Sequence, residues 1–371
     1  MGVGSRRRDV LKGALAFAGV AAVGSAYRAP AARGAPFEVP TIDGLAVRVI
    51  LDSSHDIFLV PNKFKDVAME RAPRFADYRR ALHNQWGLSL LLESTRGSEQ
   101  RTVLLDFGYT GDALLNNIEM LGIDVKKIDA LVASHGHYDH FGGLSAFLQK
   151  YRSALPADLT LYVGGEHAFC PRHQRAGAPD KFSEWGAIDR RELAAHNVKV
   201  VLAENPTVVA GHAFSTGPIR STSFERVLPN TMVEYSMKDG LGCDVTKFGA
   251  TDRAGKILPD EHDHEHATCF NIRGKGLVVS TSCGHRGIIN AVKQAQEVSG
   301  IRKVHAVIGG FHLGPAPADY ARQTVAELKA LEPDVVVPLH CSGLPFIKAM
   351  QEQMPDKLLL STTGNKMTFS A

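Results

Sequence analysis

The chain has 371 residues, 44% of them hydrophobic and 22% charged, an ordinary globular composition with enough length for a large core. Its formal charge of +3 is concentrated at the start: without Arg6, Arg7, Arg8, Lys12 and Asp9, 38 basic side chains face 38 acidic ones. A neutral body excludes the electrostatic footprint expected of a nucleic-acid or anionic-membrane binder.

Residues 1–26 read as an export signal. Arg7-Arg8 and Lys12 precede the uncharged stretch 13–27, and Gly24-Ser25-Ala26 offers small residues for cleavage. The pattern resembles a twin-arginine signal, with Val10 where an aromatic is common. That resemblance implies the twin-arginine export machinery as a partner and a periplasmic mature protein. The stretch is short for a bilayer, and no other segment is long and apolar enough, so no stable membrane span is expected. Residues 27–40 read as a Pro/Ala/Gly linker, and residues 41–371 as the folded domain.

In that domain short apolar runs alternate with helical patterns. Strands are predicted at 45–51, 88–93, 102–106 and 128–134, with helices at 111–121 and 143–152. From about 165 to 265 the chain is irregular and reads as a cap or insert, with a short strand at 198–203. Strands follow at 268–273, 276–281, 303–308, 334–338 and 357–361, and helices at 286–298, 318–331 and 343–353. Two strand-rich halves with interleaved helices predict an α/β fold, a four-layer αββα sandwich.

The strand at 128–134 runs into His135-Gly136-His137-Tyr138-Asp139-His140, followed by Gly142-Gly143. Three imidazoles and a carboxylate within six positions make a donor set that suits zinc, iron or manganese. A polar loop of hydrogen-bonded histidines is the plain alternative, and the crowding of ligand types argues against it. Two later strands also end on a histidine: "STSCGHRGIIN" at 280–290 and "PLHCSG" at 338–343.

This HxHxDH pattern and the landmarks after it resemble the metallo-β-lactamase superfamily. With "HNQWGLSLLLE", "TGPIRSTSFE" and "AVIGGFHLGPAP" in order, the set resembles one branch of it, the dihydropterin–ribofuranosylaminobenzene phosphate synthase-like enzymes. The resemblance implies a four-layer αββα sandwich holding one or two divalent transition metals, zinc first, with iron or manganese as alternatives. It implies His135, His137 and His285 for a first metal and Asp139, His140 and His340 for a second. Cys283 stands where related two-metal enzymes often carry a bridging aspartate, and reads either as a thiolate ligand or as a small buried residue. A divalent ion lowers the pKa of bound water from about 16 to about 7 and polarises phosphoryl or carbonyl oxygens. Asp139 is expected to orient that water and take its proton.

Several residues carry weaker signals. His312 follows the 303–308 strand and is expected at the pocket rim as an acid, base or phosphate donor. Arg220 is a candidate partner for an anionic substrate, with a surface charge as the alternative. Tyr138 is expected beside the ligands or near substrate, with simple packing as the alternative. His262, His264 and His266 alternate with acids and read as a polar entry to the strand at 268–273, with adventitious metal binding as the alternative; His266, nearest the strand, is the one best placed to face the site. His55, His83, His167, His173, His196, His212 and His305 read as structural or surface. Gln85-Trp86 stand where branch members tend to have an acid and a histidine, and Trp86 reads as a core cover. Cys170, Cys243, Cys269, Cys283 and Cys341 have no close-spaced framework, so no disulfide pair is named.

The expected activity is a metal-dependent hydrolase or transferase that uses activated water on a small, anionic, phosphate-containing substrate. An exported metal-binding or sensing protein of the same fold, without turnover, is the second reading. A nuclease of this fold needs a basic groove, which the charge balance does not provide.

Overall fold

In the computed structural model, which describes residues 37–175, 181–228 and 231–371, the predicted alternation closes into two stacked sheets. The segment read as an export signal, residues 1–26, and residues 27–36 of the expected linker lie outside the described residues. One sheet has eight strands, in the order Lys199–Leu202, Thr160–Val163, Ala130–Ala133, Glu99–Leu105, Ser89–Arg96, Gly44–Leu51, Lys366–Ser370 and Val67–Glu70. The first four run parallel and the rest antiparallel. The other has seven, with Gly276–Thr281, Val304–Gly310 and Val335–Leu339 parallel at one side.

The period-two alternation of each strand builds the layers. Leu90, Leu92, Val103, Leu105 and Val132 point inward, against Phe270, Val278, Ile308 and Val337 of the facing sheet. Leu91, Leu104 and Leu131 point the other way, onto Leu114, Phe147 and Leu148 of the helices Gly111–Met120 and Leu144–Tyr151. On the far side Val279, Val307 and Val336 pack against Ile288, Val292, Val325, Leu328 and Phe346 of Ile288–Ser299, Ala318–Ala330 and Gly343–Gln353. Each such side chain contributes roughly 1.5–3 kcal/mol on burial. These three apolar layers make the expected αββα sandwich.

The middle differs from the expectation of an irregular cap. Lys199–Leu202 joins the eight-stranded sheet, and Thr207–Val209 and Ala213–Pro218 join the seven-stranded one. The remainder forms a small sheet of Arg172–Arg175, Phe182–Glu184, Thr231–Glu234 and Ile257–Pro259 and a two-stranded ribbon of Met237–Lys238 and Leu241–Gly242. A disulfide joins Cys170 to Cys243 across 73 residues of it. The strand predicted at 357–361 is not formed. Residues 355–357 make a 3-10 turn, and Leu358 contributes an isolated bridge to Val336. The last strand is Lys366–Ser370, whose alternating Met367 and Phe369 enter the inter-sheet core.

Candidate metal centre

The strand directions bring distant loops together. Registers Thr281↔Gly309 and Gly310↔Leu339 set three parallel strand ends side by side, so Cys283 and His285, His312, and His340 leave one edge. His266–Ile272 runs antiparallel to Gly276–Thr281, which brings residues 260–265 to the same edge. From the other sheet, Leu105 pairs with Val132, so Asp106 and Ser134 emerge as neighbours.

Asp106 organises the first loop. Its carboxylate accepts the Ser134 N–H at 2.8 Å and Oγ–H at 2.7 Å, and takes the Nδ1–H of His140 at 2.7 Å. That leaves His140 Nε2 as a lone pair, 3.2 Å from His340 Nε2. With its own hydroxyl hydrogen given to Asp106, Ser134 Oγ accepts from His135 Nδ1 at 2.9 Å. His135 Nε2 is then a lone pair, buried without a hydrogen-bond partner. Gly136 lets the loop pack, because a Cβ there would stand 2.5 Å from Ala168 O and 2.6 Å from the Arg172 guanidinium.

Asp139 Oδ2 lies 3.4 Å from His340 Nε2 and 3.7 Å from His140 Nε2, so the three residues expected to share the second metal meet. Asp139 Oδ1 is buried without a partner. The rings of His135, His137 and His285, expected to share the first, have centroids 4.7 to 4.9 Å apart. Cys283 lies with His135 and His285 on one side and with His140 and His340 on the other.

His262, expected in a polar strand entry, instead joins the site. Its ring stacks on His285 with centroids 3.9 Å apart and 4° between planes, and lies 4.7 Å from His137. The backbone turns there with φ of 52°, and Asp260 accepts the His262 N–H at 2.9 Å. His266, thought nearest the site, is instead held between the sheets by Ala133 O and Ser215 Oγ. His264 Nε2 accepts the Gly136 N–H at 2.8 Å, and its Nδ1 meets His167 Nδ1 at 2.9 Å, so both brace the loop from behind.

Three other expectations are corrected. Arg220 is ion-paired to Glu297 at 2.5 Å on the outer surface and does not face the histidines. Tyr138 packs edge-on against Tyr109 and Phe141, away from the cavity. Trp86 is 56% exposed, with its ring 4.8 Å from His340, so it walls the site and does not cover the core. A cavity of about 340 Å³ opens over His137, Asp139, His285, His312 and His340, with Trp86 and Trp185 on its sides and Arg175 among its lining residues.

Four of the eight non-glycine residues with positive φ among the described residues are here: Asp106, His262, His312 and His340. Such backbone costs of order 1 kcal/mol or more and collects at functional sites. Burial holds the imidazoles of His135, His137 and His285 well below their ordinary pKa, so they are neutral. Burial alone would raise Asp139, but His140 and His340 bring it below the usual carboxylate value. Neutral imidazoles, an ionised carboxylate, buried thiols and uncompensated lone pairs fit a divalent transition metal.

Residues 87–163 match the family described as the metallo-beta-lactamase superfamily. Over 300 residues, 80% of this chain and 95% of the relative, the sequence is 26% identical to 7,8-dihydropterin-6-methyl-4-(beta-D-ribofuranosyl)-aminobenzene-5'-phosphate synthase of Methanocaldococcus jannaschii. A second, uncharacterised protein of that organism is 24% identical over 276 residues, 72% of this chain and 88% of its own. The crystal structure of a metal-dependent hydrolase of the beta-lactamase superfamily superposes with a TM-score of 0.63 at 23% identity, covering 88% of this chain and 100% of that one.

Proposed function

Starting from an enzyme with the metallo-β-lactamase fold, we propose a metal-dependent hydrolase or transferase whose small substrate carries a phosphate and a flat ring. The observation that carries this reading is the placement of the histidines at the floor of a cavity walled by both tryptophans of the chain. His135, His137, His262 and His285 would hold one ion, and Asp139, His140 and His340, with Cys283, the other. Mixed nitrogen, oxygen and sulfur donors favour zinc. A divalent metal bound there supplies Lewis acidity and activates water near neutral pH.

The chain's own groups do the rest. Trp86 and Trp185 offer faces for a ring, which suits the aminobenzene group in the name of the M. jannaschii relative. Arg175, in place of the expected Arg220, offers a planar guanidinium to phosphate. Asp139 Oδ1 accepts a proton as the nucleophile forms. His312 Nε2, buried without a hydrogen-bond partner, donates to a developing anionic oxygen.

The test is turnover of a panel of aryl phosphate mono- and diesters by the metal-loaded protein. Chelator should abolish activity, and Asp139→Asn should lower kcat by roughly 10²- to 10⁴-fold with bound metal retained in part. His137→Ala should lose the ion held by the first set of histidines. Metal-replete protein with no turnover on any member, or Asp139→Asn with unchanged kcat, rejects the reading.

We also propose export by the twin-arginine route and action in the periplasm. The support is the Arg7-Arg8 pattern, whose residues lie outside the described ones. Among the described residues no helix is long and apolar enough to cross a membrane. Replacing Arg7 and Arg8 by lysine should leave uncleaved precursor in the cytoplasm, and undiminished export of that variant excludes this route.

A further inference from the structure

Two donors at this edge are not needed by either set of histidines. Cys341 follows His340, and His312 follows the neighbouring strand. Cys283 Sγ lies 3.1 Å from Cys341 Sγ and 3.6 Å from His312 Nδ1. The His312 N–H donates to Cys341 Sγ at 3.2 Å, which ties that loop to the sulfur. Gly310 makes this closure feasible: a Cβ there would stand 2.9 Å from Cys341 Sγ and 2.3 Å from Ser282 O. Both sulfurs are buried, yet the group lines the same cavity as the histidines.

We infer that Cys283, His312 and Cys341 form a third, thiolate-rich position for a soft divalent cation such as zinc or cadmium, distinct from the two histidine positions. A tetrahedral ion with bonds of about 2.3 Å to sulfur and about 2.0–2.1 Å to nitrogen sets its S and N ligands about 3.6 Å apart. The Cys283–His312 separation already matches. The two sulfurs must part by roughly 0.7 Å from their present distance, within the give of side-chain torsions. Charge argues the same way. Two thiolates balance a 2+ ion, so a buried site carries no net charge. Three protein ligands leave the fourth position open, as in a Cys₂His catalytic zinc site. Cys283 would bridge to the neighbouring histidine position. The arrangement also uses both nitrogens of His312, with Nδ1 on the ion and Nε2–H left to donate.

Cadmium titration of the full mature protein, with thiolate-to-metal ultraviolet absorption as readout, tests the assignment. Wild type should take up one equivalent more than Cys341→Ser. Cys341→Ser should lose most of the absorption while keeping the histidine-bound ions, and His312→Ala should lose the same equivalent. His137→Ala should do the reverse, keeping the thiolate band, which separates this site from the two-metal reading. Equal uptake and absorption in wild type and Cys341→Ser overturns it. So does wild type that shows no thiolate absorption, or in which Cys283 and Cys341 are recovered as a disulfide without added oxidant.

Discussion

Asp106 touches no part of the cavity, yet it fixes the hydrogen positions on two ligands, His140 directly and His135 through Ser134. An asparagine keeps the shape but loses the charge and presents hydrogens on one side. Asp106→Asn should therefore weaken metal binding by roughly 10- to 100-fold with little change in unfolding temperature of the metal-free protein. Competition against a chromophoric chelator measures this, and an affinity within twofold of wild type removes Asp106 from the account. Residues at this scale were legible where chemistry was dense. Six ligands from His135 to His340 could be named because each follows a strand. His262 could not, because the reading placed the 262–266 run at a strand entry, where alternate residues share a face. The strand starts only at His266, and a left-handed turn at His262 swings that ring under His285. Asp106 ends a predicted strand as the histidines do, and that shared position was the available signal.

At the scale of elements, the start of helix Ile288–Ser299 has no side-chain cap of its own, and Glu225 supplies one from a distant segment. Its carboxylate accepts the N–H of Ile289 at 2.8 Å and of Asn290 at 3.3 Å. Burial outweighs these bonds and pushes its pKa up to about 7, from an ordinary 4.5. Because the folded state holds this proton more tightly than the unfolded one, the stabilisation is fully present below about pH 4.5. It is lost as pH rises through about 7. Glu225→Gln keeps an acceptor for the helix and carries no charge. Its unfolding free energy should exceed wild type's at pH 8, by up to about 3 kcal/mol, and converge with a neutral wild type at pH 4. Denaturant melts across that range decide the matter, and parallel pH profiles for the two proteins defeat it. Helices and parallel strands were legible at this scale because their apolar periods are long. The 357–361 strand misled because an apolar run of five does not specify a partner, and a single bridge to Val336 is all it finds.

For the whole molecule, regular alternation of strand and helix made the four layers legible before any contact was known. The middle third was opaque for a physical reason. Its strands are two to six residues long, and several pair with segments distant in sequence, as Ala213–Pro218 does with His266–Ile272. Short strands carry little periodic signal, and long-range pairing carries none. The cavity walls drawn from that region, Arg175 and Trp185, were invisible with it.

The sandwich draws its candidate ligands from both sheets, His135 to His140 from one and His285 and His340 from the other. Cations seated between them would therefore rivet two slabs that otherwise meet through an apolar core and a few bonds such as that of His266 to Ala133 O. At a hundredfold excess over its dissociation constant, such a rivet adds about 2.7 kcal/mol against unfolding. Starvation for the ion would then loosen the body along with silencing its chemistry, and one scarcity would set both the activity and the lifetime of the molecule.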